Sequence, residues 1–329
     1  MKIKGSKVFV TGSGGFIGSR LCSLLVKEGA KVTALLHYNS RGDLGNLRFL
    51  PSDELREIQV LRGDITDSSF VLRHLSGYNI VFHLAALIGI PYSYVAPASY
   101  LRTNIEGTLN ILEAVRQCEI DRMVHTSTSE VYGTALYTPI DEKHPLQGQS
   151  PYSATKIGAD KIVESFNRTF GSPVTILRPF NTYGPGQSRR AVIPTIISQA
   201  LYSDEIHLGD LSPVRDFNYV DDTARAFLRI AESDGVLGKV FNAGSGKGIT
   251  IGRLAELVND LCATKKPVKM DAERVRPELS EVFELICDNS AAKNIMSWEP
   301  EISLREGLAK TIEFMKSNSD FYNKFEYAI

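Results

Sequence analysis

Seven short runs of mostly Val, Ile, Leu and Phe punctuate the chain, and the longer stretches between them carry apolar residues at helical spacing. The runs are Lys7–Thr11, Lys31–Leu36, Ile58–Arg62, Ile80–Leu84, Arg122–Thr126, Val174–Leu177 and Val240–Asn242. Continuous apolar runs of this length fit strands buried on both faces, and their alternation with helices predicts a parallel sheet covered on each side. Helices are predicted at Phe16–Lys27, Ser68–Leu75, Ser99–Cys118, Ser153–Phe170 and Val220–Ala231. The pattern is α/β, a doubly wound parallel sheet. After Pro179 the alternation loosens into loops and short helices, and from Thr250 onward the chain reads as mostly helical with charged faces. Residues 1–180 with about 218–246 are therefore assigned to the sheet domain, and about 181–217 with 247–329 to a smaller, mixed but mostly helical lobe. The ligand cleft is expected between them, at the carboxyl ends of the strands.

With 329 residues the chain has room for two lobes. Its 37 Lys and Arg nearly cancel 38 Asp and Glu, so no overall field would draw nucleic acid or an anionic membrane, and any anion must be held by a local site. The N-terminus has no signal-peptide pattern and no stretch reaches the length of a membrane span, so a cytoplasmic enzyme is expected. Cys22, Cys118, Cys262 and Cys287 lie far apart, without CxxC or paired histidine spacing, and are read as reduced, structural residues with no metal. His83, His125 and His144 are read as strand ends or loop residues with no chemical role.

The first strand runs into Gly12-Ser-Gly-Gly15-Phe16-Ile17-Gly18, a GxxGxxG spacing at a strand-to-helix junction. Gly12 permits a tight turn, Gly15 lets backbone amides approach a pyrophosphate, and Gly18 lets the helix pack close. This is the dinucleotide fingerprint of a Rossmann sheet. An NAD enzyme usually carries an acid at the end of the second strand for the ribose 2′-hydroxyl. Here the chain reads His37-Tyr-Asn-Ser40-Arg41, a hydroxyl and a guanidinium suited to a 2′-phosphate, with Asp43 close by. The balance tips slightly to NADP over NAD. Asp64 and Ile65, after the third strand, are candidate adenine contacts or simply a turn.

Tyr152 and Lys156 stand four apart in a helical segment and so share a face. A nearby ammonium lowers the pKa of a phenol, which would let Tyr152 remove a hydroxyl proton near neutral pH while Lys156 holds the cofactor ribose. The fifth strand ends in Thr126-Ser-Thr128-Ser129-Glu130, bringing hydroxyls and one carboxylate to the same pocket.

These motifs, with HLAA (His83–Ala86), Asn104, RPFNTYGPGQ (Arg178–Gln187), RDFNYVDD (Arg215–Asp222) and Arg276-Pro277, resemble the extended short-chain dehydrogenases/reductases that act as nucleotide-sugar epimerases and dehydratases. The resemblance runs nearly end to end. It implies that Tyr152 and Lys156 are the catalytic pair, that Thr128 steadies the sugar O4, and that Asn104 shapes the helix and water path behind the lysine. It also implies cofactor contacts from Leu84, Ala85 and Ala86. Asn181, Arg215 and Arg276 would meet the diphosphate or nucleoside, with Val192 opening a helix near the base; Arg189, Arg190 and Arg274 are either diphosphate contacts or solvated surface, and Tyr183 is read as ring packing before a base contact. Within the family, Glu130 after Thr128 suits removal of a C5 proton, and Ser129 stands where many dTDP-glucose dehydratases carry aspartate. The surrounding STSEVYG and HPLQGQSPYSA resemble dehydratases that open legionaminic-acid-type pathways on GlcNAc nucleotides. A nucleotide-sugar 4,6-dehydratase giving a 4-keto-6-deoxy sugar is expected. The alternatives are a nucleotide-uronate decarboxylase, a 4-epimerase, or a dinucleotide-sensing binding protein, which the presence of both Tyr152 and Lys156 opposes. Helices Ser99–Cys118 and Ser153–Phe170 match those of a four-helix homodimer interface in the family, and the aromatic tail (Phe321, Tyr322, Phe325, Tyr327) is expected to cover its own lobe.

Overall fold

The computed structural model describes residues 1–274 and 282–322. Seven parallel strands form the main sheet: β1 (Lys7–Thr11), β2 (Lys31–His37), β3 (Ile58–Gly63), β4 (Ile80–His83), β5 (Arg122–Thr126), β6 (Val174–Pro179) and a last strand Val240–Ala243. Their order is last strand, β6, β5, β4, β1, β2, β3, so the winding direction reverses between β1 and β4. Sheets of this kind open a crevice above that reversal, at the carboxyl ends of the strands. Val8 and Val10 face one layer of helices with Leu21, Leu25, Phe82 and Phe227, while Phe9 faces the other with Val81, Ile111, Met123 and Val163. That two-sided burial is why the strands read as unbroken apolar runs.

The predicted strands are present with ends shifted by no more than two residues. Helix Ser99–Cys118 departs from expectation: it is an α-turn Pro97–Tyr100, a π-helical stretch Leu101–Glu106 and an α-helix Gly107–Gln117. The cause is Asn104, whose carboxamide bonds both to the Leu87 backbone (N 2.8 Å, O 3.0 Å) and to the Thr155 hydroxyl (3.1 Å), pinning the π stretch to the neighbouring loop and helix.

The remaining lobe buries Tyr183, Ile193, Ile196, Ile197, Leu254, Val258, Leu308, Ile312 and Met315 around one core. It holds more strand than the sequence suggested. Val214–Tyr219 pairs with Gly248–Thr250, Glu284–Leu285 and Asn181–Tyr183, and Ile206–Leu208 pairs with Val268–Met270. Pieces of two to six residues leave too few periods to separate strand from loop. Tyr322 is buried against this lobe, its hydroxyl donating to Gln187 O at 3.0 Å, and Phe321 and Tyr322 pack on each other. Phe325 and Tyr327 lie outside the described residues.

Helix Val220–Glu232, on one face of the sheet, ends on an arginine from the sheet itself. Arg122, at the start of β5, donates from one guanidinium nitrogen to Ile230 O, Ala231 O and Ser233 O at 2.7–2.9 Å. These carbonyls have no partner within the helix, and the cation meets the negative end of the dipole. Arg122→Ala is expected to destabilise the chain by about 2 kcal/mol, read as a lower urea midpoint at unchanged slope.

Candidate functional site

The glycine loop sits at the sheet's reversal. Gly12 adopts φ +70, and a Cβ there would lie 2.6 Å from Ala85 N at the end of β4; a Cβ on Gly18 would lie 2.3 Å from Gly12 O. Gly15 caps helix α1 (Phe16–Lys27) without any side-chain hydrogen bond, so the first amides of the helix face the crevice uncovered by a side chain. This close-packed backbone with an anion-accepting helix end fits the pyrophosphate of a dinucleotide. Ser13 and Thr11 line the same turn, their hydroxyls bound to Leu35 O (2.8 Å) and the His83 ring (2.8 Å).

Beyond β2, Ser40 and Arg41 are exposed on the loop, as read from the sequence. Two further features were not legible there. His37 meets the Asp64 carboxylate (3.4 Å), and Arg62 at the end of β3 donates to Gly42 O (2.8 Å), adding a second guanidinium beside this loop. Burial pushes the Asp64 carboxyl up, but the Thr66 amide and hydroxyl and the His37 ring outweigh it, leaving the pKa below its ordinary value. Only the fold brings β3 beside the β2 loop, so spacing in the chain gives no sign of Arg62.

The Tyr152-Lys156 helix starts two residues before its expected position, as Pro151–Phe170. Pro151 occupies the first turn, and Ser150 and Ser153 form a reciprocal capping box. Both Tyr152 and Lys156 are buried, at 7 % and 3 % exposure. The Thr128 hydroxyl lies within hydrogen-bonding reach of the Tyr152 phenol, with the Glu130 charge nearby and the Tyr100 ring edge-on at 6.3 Å. Thr128 also caps the turn Ser129–Tyr132 by accepting from Glu130 N at 3.2 Å, which fixes Glu130 beside it. Ser129 is buried at 2 % exposure.

One expectation is corrected. The phenol of Tyr152 is not lowered by Lys156 but pushed well above its ordinary value, because burial and the nearby Glu130 charge outweigh the Thr128 hydroxyl. Lys156 directs its ammonium at Thr126 O (2.7 Å), and burial lowers it from 10.5 to about 8 against the pull of Asp160. Below pH 8 the lysine is charged both folded and unfolded, and burying that charge costs stability on the order of 3 kcal/mol. From pH 8 to 10.5 the folded chain has released that proton while the unfolded chain keeps it, so this contribution to stability rises with pH. Lys156→Met is expected to be about 1 to 3 kcal/mol more stable than the wild type at pH 7, with the gap closing by pH 10.5. Urea denaturation at both pH values checks this; a gap independent of pH would contradict it.

On the other lobe, Asn181 stands at the start of a short strand, its carboxamide oxygen buried without a hydrogen-bond partner among the described residues. Val192 opens helix Val192–Tyr202, and Arg215 is buried at 7 % exposure with one nitrogen on Val214 O. Arg276 lies outside the described residues. Leu84, Ala85 and Ala86 follow β4 directly, within reach of the glycine turn, and Ile65 is buried after Asp64. His83 and His125 are more buried than strand ends need be, with rings 5.5 Å apart. The four cysteines are unpaired, with Cys22 and Cys287 buried. Among the described residues no cluster of three or more His, Cys, Asp or Glu is placed to hold a metal, and no helix is long and apolar enough to cross a membrane.

The geometry matches known enzymes over nearly the whole chain. A family model described as GDP-mannose 4,6 dehydratase matches residues 9–311. A UDP-glucuronate 4-epimerase from Thermodesulfobacterium geofontis is 32% identical over 94% of this chain and 96% of its own. Among solved structures, a UDP-N-acetylglucosamine 4-epimerase from Methanobrevibacter ruminantium, in complex with UDP-N-acetylmuramic acid, superposes with TM-score 0.87 at 31% identity over 96% of this chain and 99% of the other. A double mutant of a dTDP-glucose 4,6-dehydratase from Streptomyces venezuelae, with NAD bound, superposes with TM-score 0.86 at 27% identity over 96% of this chain and 98% of the other. The chain belongs to the extended short-chain dehydrogenase/reductase family of nucleotide-sugar epimerases and 4,6-dehydratases.

Proposed function

We propose that this enzyme is a nucleotide-sugar 4,6-dehydratase acting on N-acetylglucosamine carried by UDP or GDP. The observation that carries the reading is Glu130: the Thr128 cap fixes its backbone in the turn, with its charge near the Tyr152 phenol. A 4-epimerase has little work for a base there, whereas a dehydratase must remove the proton on C5.

Gly12, Gly15 and Gly18 would hold the dinucleotide pyrophosphate, Asp64 and Ile65 its adenine end, and Lys156 the nicotinamide ribose. The bound dinucleotide supplies a hydride acceptor for C4 and a hydride donor for C6, and is regenerated within each turnover. Tyr152, once its own proton has passed to solvent, takes the O4 proton as C4 is oxidised, with Thr128 holding that oxygen. The C4 ketone acidifies C5, and Glu130 removes the C5 proton. Glu130, or a water held by Ser129, protonates the departing C6 hydroxyl, and a proton returned to C5 completes a 4-keto-6-deoxy sugar. Asn181 and Arg215, with Arg276, would hold the nucleoside diphosphate.

For the cofactor, the lean toward NADP rests on Ser40 and Arg41, to which Arg62 adds a second cation beside the same loop. Comparing dissociation constants of the two dinucleotides decides it. The homodimer reading rests on the resemblance of the two long helices to a four-helix interface, with Leu101 and Leu109 exposed on the first of them, and sedimentation tests it.

A 4-epimerase is the second reading, favoured by two of the three relatives named above; a nucleotide-uronate decarboxylase would use the same 4-keto intermediate. Incubation with UDP-GlcNAc, GDP-GlcNAc and UDP-glucuronate separates the three. Loss of water from a GlcNAc nucleotide is expected; carbon dioxide from the uronate, or a C4 epimer at unchanged mass, would overturn the proposal.

A further inference from the structure

One turn beyond Lys156, on the same face of its helix, stands a residue the chemistry above does not use. Asp160 is fully buried. One carboxylate oxygen accepts from the Ser127 hydroxyl (2.8 Å) and from two nitrogens of Arg178 (2.9 and 3.2 Å). The other faces the His125 ring at 3.5 Å and has no hydrogen bond among the described residues. Arg178 continues to the Tyr132 hydroxyl (3.0 Å), which donates to Asn242 (2.6 Å). The network thus ties β5, β6, the turn that carries Glu130 and the last strand to the helix that carries Tyr152 and Lys156.

The charges sort themselves. From β4 and β5, His83 and His125 face the site as neutral rings, since burial and the Lys156 charge hold both below the ordinary histidine value. From β6 comes the Arg178 cation, and from the turn the Tyr132 phenol, which burial pushes up. Tyr152 is neutral for the reason already given, and Glu130 stands near it, next to Thr128. Asp160 is the carboxylate that opposes the burial of the Lys156 ammonium. An ion pair with Arg178 alone would be poor reason to bury a carboxylate here, because apolar residues of equal volume usually serve stability as well or better. Placed four residues from Lys156, the same carboxylate holds a positive charge where water is excluded.

We propose that Asp160 is a positioning residue for Lys156: anchored by Ser127 and Arg178, its carboxylate keeps the buried ammonium protonated and held at the end of β5. The proposal rests on the reading of Lys156 as the group that holds the cofactor ribose.

The test is NAD binding by calorimetry from pH 6 to 10; NAD is used because it has no titrating 2′-phosphate. The wild type is expected to lose about tenfold or more in affinity as pH rises through about 8, where Lys156 sheds its proton, and Lys156→Met to lack that break. Asp160→Asn is expected to keep its low-pH affinity but to move the break down by at least about one pH unit, the usual effect of removing an opposite charge. Asp160→Glu is expected to restore it. Should Asp160→Asn fail to fold, Asp160→Asn with Arg178→Met leaves no buried partner unpaired, and the same shift is expected. Lys156→Met binding with the wild-type pH dependence would overturn the role of Lys156 and the proposal with it. Loss of the break in Lys156→Met, with the Asp160→Asn break unmoved or its affinity uniformly reduced at every pH, would overturn the proposal alone.

Discussion

Tyr152→Phe is expected to reduce turnover by about 10³-fold or more while leaving nucleotide-sugar affinity within a few-fold. The ring keeps its packing against Tyr100, and the substitution removes a single oxygen from a site already 93 % shielded in the sense that Tyr152 retains 7 % exposure. What is lost is the group that accepts the O4 proton. Because burial raises the phenol's pKa, Tyr152 rests as a neutral phenol, and it accepts the O4 proton only as the phenolate, after its own proton has passed to solvent. Single-turnover rates measured beside equilibrium binding check this, since a drop in affinity equal to the drop in rate would mean that Tyr152 only holds the sugar.

The second large effect separates the half-reactions. Glu130→Gln is expected to lower product formation by about 10²- to 10³-fold while C4 oxidation still occurs. Reduced cofactor should then accumulate, seen as nicotinamide absorbance that rises on adding substrate and decays slowly. Glutamine keeps the shape, and the backbone amide of residue 130 still donates to Thr128, so the turn is preserved. Full activity in this variant would remove Glu130 from the chemistry and leave an epimerase as the better reading.

Much of this could be read before any coordinates. Buried parallel strands announce themselves as unbroken apolar runs, and GxxGxxG and YxxxK mark local geometries that need fixed residue types at fixed spacing. The π stretch at Leu101–Glu106 escaped because its cause is tertiary: Asn104 reaches a loop and a neighbouring helix, and a helical period shows neither. The same holds for Arg62 beside Gly42 and for Asp160 with Ser127 and Arg178, where partners far apart in sequence meet only once the strands are ordered. The upward direction of the Tyr152 shift is hidden from the sequence for a related reason. Spacing places an ammonium near a phenol, but the depth of burial, which here outweighs it, belongs to the packed structure.

The most direct test of the central claim follows one hydride. With a GlcNAc nucleotide carrying deuterium at C4, the account predicts that the label leaves C4 and appears at C6 of a 4-keto-6-deoxy product, within one enzyme molecule. A label found back at C4, on a sugar that has kept its C6 hydroxyl, would contradict it.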